Sequence, residues 1–141
     1  MSCNCNCNHM NMDHGPNPYV MNATQGATQN QFFRAAIWTG ENLQMTLMSI
    51  LPCDEIGWEI HEDTDQLIRI EQGRAVFQIG ECRGRKKYEK ELGVQDVVFV
   101  PAGTWHNVVN MGRCPLKVSS IYAPPHHPRG TIHQTKEDAG Y

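Results

Sequence analysis

Gly57-Trp58-Glu59-Ile60-His61-Glu62-Asp63-Thr64-Asp65-Gln66 and Pro101-Ala102-Gly103-Thr104-Trp105-His106-Asn107-Val108-Val109-Asn110 are the stretches whose reading decides this fold. Side chains alternate between the faces of a β-strand, so Glu59 and His61 project to the same side of whatever sheet carries them. After the acidic turn Glu62-Asp63-Thr64-Asp65, the run Gln66-Leu67-Ile68-Arg69-Ile70 resumes strand-like alternation, and a return strand brings the Gln66 side chain beside that pair. His106 follows a Pro-x-Gly turn and opens the apolar run to Val109. Two imidazoles, a carboxylate and an amide oxygen form a mixed nitrogen and oxygen set. It suits one divalent ion of Fe, Mn, Ni, Co or Zn better than the ions that prefer thiolates.

The two stretches resemble the paired motifs of the cupin superfamily, G-x5-H-x-H-x(3,4)-E-x6-G and G-x5-P-x-G-x2-H-x3-N. In the second, Pro101, Gly103, His106 and Asn110 stand at the family spacing, while Gly93 lies further upstream than the leading glycine of the pattern. In the first, Gly73 places Gln66 where the family has Glu, and His61 takes the second His position. Glu59 therefore replaces the first His. The resemblance implies Glu59, His61, Gln66 and His106 as metal ligands, with the carboxylate moved and the number of anionic ligands unchanged. If Gln66 binds a metal-bound water instead, two His and one carboxylate remain. That arrangement is associated with non-haem Fe(II) oxygenases.

At 141 residues the chain is expected to form one domain. A net charge of −3 supplies no basic stripe for a phosphate backbone, and the run Arg83-Gly84-Arg85-Lys86-Lys87 reads as a solvated hairpin loop. Nucleic acid is therefore not an expected partner. No apolar run approaches the roughly twenty residues of a membrane helix. The start of the chain lacks the basic-then-apolar pattern of a secretory signal, so the expectation is a cytoplasmic protein. In a reducing compartment its six cysteines are free or metal-bound, with Cys53, Cys82 and Cys114 reading as packing or loop residues.

Residues 1–28 form a Cys/Asn/Met-rich N-terminal tail in which Cys3, Cys5, Cys7 and His9 could capture a soft metal. The turn-rich stretch that follows offers nothing from which to build a packed core. Residues 29–124 read as an all-β body of short strands at regular spacing, without a helical apolar stripe, hence a sandwich or closed barrel. The cupin double-stranded β-helix, a jelly roll, fits that strand count. Residues 125–141 are a Pro- and Gly-rich C-terminal extension, expected to hug the surface. Of its imidazoles His126, His127 and His133, the first and last are the candidates for proton transfer at the barrel mouth. Asn110 reads as a turn-stabilising residue, and Asp63 and Asp65 as loop charges, with an orienting role toward His61 the alternative for Asp65. Trp58 and Trp105, of opposite parity to the ligands, should point away from the metal.

The resemblance implies a metal-dependent enzyme on a small polar substrate, with an isomerase acting on a sugar or sugar phosphate as the leading expectation. A non-haem dioxygenase and a non-catalytic metal-handling or ligand-binding module are the alternatives. Exposed strand edges, together with the resemblance, imply a homodimer.

Overall fold

Turn residues cut the chain after Gln31 into short extended runs rich in Val, Ile, Phe and Thr, and each run becomes a strand. The structure, a computed structural model, describes residues 13–140. Its strands are β1 (Arg34–Thr39), β2 (Gln44–Ile50), β3 (Asp65–Gln72), β4 (Ala75–Cys82), β5 (Arg85–Leu92), β6 (Val97–Val100), β7 (Trp105–Asn110), β8 (Leu116–Ala123) and β9 (Ile132–His133). They pair antiparallel into a sheet of order β6-β3-β8-β2-β1-β9 and a smaller one of order β5-β4-β7. This is the jelly roll expected from the sequence.

Between the sheets lies an apolar cluster that includes Met48 and Ile50 of β2, Ile68 and Ile70 of β3, Val118 and Leu116 of β8, Phe77 of β4 and Val108 of β7. Strand parity puts Gln44, Thr46, Gln66, Ser120, Tyr122 and His106 on the same inward faces, one or two pleats further along. All six are buried. One end of the interior is thus hydrocarbon and the other polar.

Three local readings need correction. Gly57 to His61 is not a strand: Glu55 and Glu59 make only isolated bridges, to Val109 and His106. Gly57 adopts φ +104° and interrupts the extended run. The basic run is not a loop throughout, because Arg85, Lys86 and Lys87 already lie in β5, exposed to solvent. The stretch before Gln31, which seemed unable to build a core, contains helix α1 (Ala23–Gln29), capped by the Asn22 side chain accepting from the Gln25 amide. The fully buried Ala27 of α1 joins Ile37 and Leu47 in a second apolar cluster. Its sequence, Ala-Thr-Gln-Gly-Ala-Thr-Gln, carries too few apolar residues to show a stripe. Cys3, Cys5, Cys7 and His9 lie outside the described residues.

Candidate metal centre

The Pro-x-Gly turn sets the geometry. Gly103, at φ +77°, takes a conformation that favours glycine and donates its N–H to the His61 carbonyl at 2.8 Å. The neighbouring Ala102 N–H donates to Asp65 Oδ1 at 2.9 Å. Asp65 therefore fixes the turn ahead of His106, where the sequence suggested a partner for His61. Glu59 and His106 exchange both backbone hydrogen bonds, each 3.0 Å long, so the two motifs are laced together over the small sheet. Asn110 closes the far end of β7, donating to the Ile50 and Cys114 carbonyls and accepting from the Gly112 amide. Its structural reading is borne out.

This lacing aims three side chains at one point. Glu59, His61 and His106 are all buried, and their ligand atoms lie within 4.8 Å of one another. Glu59 Oε1 stands 3.5 Å from His61 Nε2 and 3.6 Å from His106 Nε2. His106 Nδ1 is 2.9 Å from the Thr104 carbonyl, which can only accept. That nitrogen therefore carries the proton, and in the neutral ring Nε2 presents its lone pair to the carboxylate. Neither ring nitrogen of His61, nor Nε2 of His106, has a hydrogen-bond partner among the described residues. Two imidazole nitrogens facing a carboxylate at these distances match a shared cation, since donors about 2.1 Å from one ion sit roughly 3 to 3.5 Å apart. The residues present fit a divalent metal.

Electrostatics agree. Burial favours the neutral form of Glu59, but the His106 and His61 rings and the Arg34 guanidinium outweigh it and hold the carboxyl well below its ordinary value. Glu59 is therefore an anion ready to ligate. Gln66 enters the same polar end from β3, buried beside Tyr122, with its amide nitrogen 3.5 Å from Ser120 Oγ and its Oε1 without a partner among the described residues. It is the weakest donor of the expected set, and the carboxylate and two imidazoles form the cluster without it.

A family model described as the cupin domain matches residues 46–122, more than half of the chain. The chain belongs to the cupin family. This cupin is 49% identical over 127 residues to YrkC of Bacillus subtilis, a match covering 90% of the chain and 68% of that protein. It is 37% identical over 124 residues to a protein of Acanthamoeba polyphaga mimivirus, covering 86% of the chain and 75% of that protein. A crystal structure of a Bacillus halodurans protein superposes with a TM-score of 0.89 at 48% identity, covering 92% of this chain and 98% of that one. Bacillus subtilis oxalate decarboxylase, at 22% identity, a TM-score of 0.55 and coverage of 62% of this chain and 23% of that one, shares the fold.

Several groups that complete the cupin's polar end lie outside the matched segment, and the sequence placed them poorly. Arg34, from β1, is 1% exposed and its guanidinium stands 3.9 Å from Glu59 Oε2. Residues 124–133 run as a strap across the mouth. They end in β9, which pairs with β1 and brings His133 Nδ1 to 3.4 Å from Arg34. Gln44 clamps the strap: its Oε1 accepts from the His126 and His127 amides, and its Nε2 donates to the His127 carbonyl. Asp13 adds a second latch, accepting from the Gly130 and Gly15 amides and the Thr39 hydroxyl.

The strap places the His126 ring 4.0 Å from that of His61, and His127 edge-on to Tyr122 at 5.1 Å. His126 thus reaches the site, as the sequence allowed. His127, which the sequence passed over, packs further in. Burial lowers the affinity of His126 and His127 for a proton, and Arg34 adds to this; for His127 the pKa falls to about 3. Burial also pushes the Tyr122 phenol up to about 12, against the opposing influence of Arg34, so it remains a neutral donor. The parity of Gln44-x-Thr46 and Ser120-x-Tyr122 was the available signal for this polar wall.

Proposed function

We propose that this cupin is a metal-dependent enzyme acting on a small polar carbonyl compound, with Glu59, His61 and His106 holding one divalent transition metal and Gln66 facing the same chamber. The observation that carries the reading is the convergence of the Glu59 carboxylate on two imidazole nitrogens that lack other partners among the described residues. A divalent ion held there supplies a Lewis acid able to polarise a carbonyl oxygen. Glu59 anchors it as the sole anionic ligand, His106 is fixed in its ligating tautomer by Thr104, and the neutral Tyr122 hydroxyl is a hydrogen-bond donor in the chamber wall. The strap, with His126 at its exposed edge, restricts access of water.

Within this class we favour isomerisation of a small hydroxycarbonyl compound over a sugar phosphate. Three of the arginines a phosphate could have used are committed elsewhere: Arg69 pairs with Glu71, Arg74 with Glu91, and Arg129 donates to the Thr39 carbonyl. A second reading, oxygenation, draws support from the two-His, one-carboxylate set, which leaves coordination positions for substrate and O2. We also propose a homodimer formed at the edge strand β6, where Val97 and Phe99 stand exposed beside an apolar groove of about 290 Å³ lined by Leu67 and Ile121. Glu59, His61 and His106 do not line that groove.

Elemental analysis tests the metal reading. The expected outcome is about one Fe, Mn, Ni, Co or Zn per chain in the native protein and in a form lacking residues 1–12, and loss of it in His106→Ala. Substrate-dependent O2 uptake by the loaded protein then separates oxygenation from isomerisation. Metal lost only with residues 1–12 would replace the enzyme reading with metal handling by the cysteine-rich segment.

A further inference from the structure

The charge of the polar end specifies what it can hold. Arg34 and Glu59 bring one positive and one negative charge to it, both nearly out of contact with solvent. These two charges cancel each other, and a divalent cation seated on Glu59, His61 and His106 would add two positive charges in excess of that pair. An uncompensated charge of that size is costly at low exposure, and an anionic ligand lowers the cost.

Geometry narrows the class. Arg34 reaches the cluster from the side of Glu59 Oε2, while Oε1 faces the imidazoles, so the guanidinium and the cation position flank one carboxylate. A planar guanidinium with several donors binds a carboxylate in preference to a single-point acceptor. Glu59, His61, Gln66 and His106 are buried, and the His126 ring lies 4.0 Å from that of His61, which favours a small ligand.

We propose that the chamber binds a short-chain carboxylate bearing a second oxygen donor, with Arg34 as the residue that selects the charged group. This rests on the metal reading above and names the substrate class for that same site. Arg34 lies outside the segment that matches the cupin domain, so the selectivity belongs to this chain's own framing of the site and not to the shared motif.

The test uses the full chain loaded with cobalt(II), whose absorption spectrum reports on ligands entering its coordination sphere. The probes are glycolate and its uncharged counterpart of nearly the same shape, glycolamide. Glycolate should perturb the spectrum and bind at least about tenfold more tightly than glycolamide, the cation and one charge-assisted contact both contributing. In Arg34→Gln the preference should shrink at least about fivefold while cobalt stoichiometry is unchanged, the remainder being the cation's own, and Arg34→Lys should lie between. Equal affinities in the native protein, or a preference undiminished in Arg34→Gln, would overturn the proposal. Should Arg34→Gln fail to fold, an undiminished preference in Arg34→Lys overturns it instead. Failure of the native protein to take up cobalt would bring down the metal reading and this inference together, whereas cobalt bound without a preference for glycolate would bring down only this one.

Discussion

The two ends of the barrel interior are built from the same strands and obey opposite rules. On β2 the inward positions pass from Ile50 and Met48 to Thr46 and Gln44, on β3 from Ile70 and Ile68 to Gln66, and on β8 from Leu116 and Val118 to Ser120 and Tyr122. The change falls at one level on β2 and β8, and one inward position later on β3, where Ile68 still stands opposite Ser120. Below it, burial removes hydrocarbon from water and stabilises the fold. Above it, burial withholds water from His61, His106 and Gln66 groups that have no other partner among the described residues, which is unfavourable in itself. A barrel can tolerate the second end because the first holds it shut. The cost of the polar end identifies where function was placed.

The largest effect should come from the apolar end. Ile68→Ala removes a fully buried side chain and should lower unfolding stability by about 2 to 5 kcal/mol in denaturant titrations, with one metal per chain retained by the folded fraction. His106→Ala should do the reverse. Metal content falls to near zero, while the metal-free protein loses less stability than Ile68→Ala does, because the deleted ring gives up its hydrogen bond to Thr104 but also takes away a buried nitrogen that has no partner among the described residues. If both variants lost stability equally, the division between the ends would not be energetic.

Acidification sharpens the contrast further. The folded pKa of His127, about 3, lies below its unfolded value near 6.5, so the unfolded chain binds the extra proton between those values. Stability from this group is complete above about 6.5 and is lost as the pH falls toward 3. Burial sets that shift, with Arg34 and His126 adding to it, so the strap should loosen before the core. Amide protection factors, which correct for the slower intrinsic exchange in acid, should fall across residues 126–133 on going from pH 7 to pH 5 and stay constant at Ile68 and Val118, and His127→Phe should remove most of the pH dependence. The smallest effect on stability is expected at the exposed edge: Phe99→Asp should shift it by less than about 0.5 kcal/mol while halving the mass measured by sedimentation.

Much of this was legible in the chain. His106, Gly103 and Asn110 stand at fixed offsets in a turn whose backbone demands them, and the alternation of β2, β3 and β8 states which residues face inward. Glu59 and His61 were found, but on a strand that does not exist, because the single bridge to His106 and the φ of Gly57 are invisible to periodicity. His127 and Arg34 were illegible for a different reason. They reach the chamber only through the Gln44 clamp and the β1 pairing of β9, contacts made across 82 residues or more of intervening chain, and no local pattern announces such a meeting.

The position of β8 bears on how the molecule is made. It lies between β3 and β2 in the large sheet, yet in chain order it follows β1 to β7. As a ribosome extends the chain, the β1–β2 pair and the β3–β6 pair must wait as separate fragments, each with open hydrogen-bonding edges, until residue 123 emerges and joins them. A sheet closed by its central strand this late makes few of its distant contacts early, which slows folding and prolongs the exposure of its edges. A nascent fragment ending before β8 carries Glu59, His61 and His106 but lacks the Ser120 and Tyr122 wall beside them, so the polar end is completed only after β8 has emerged.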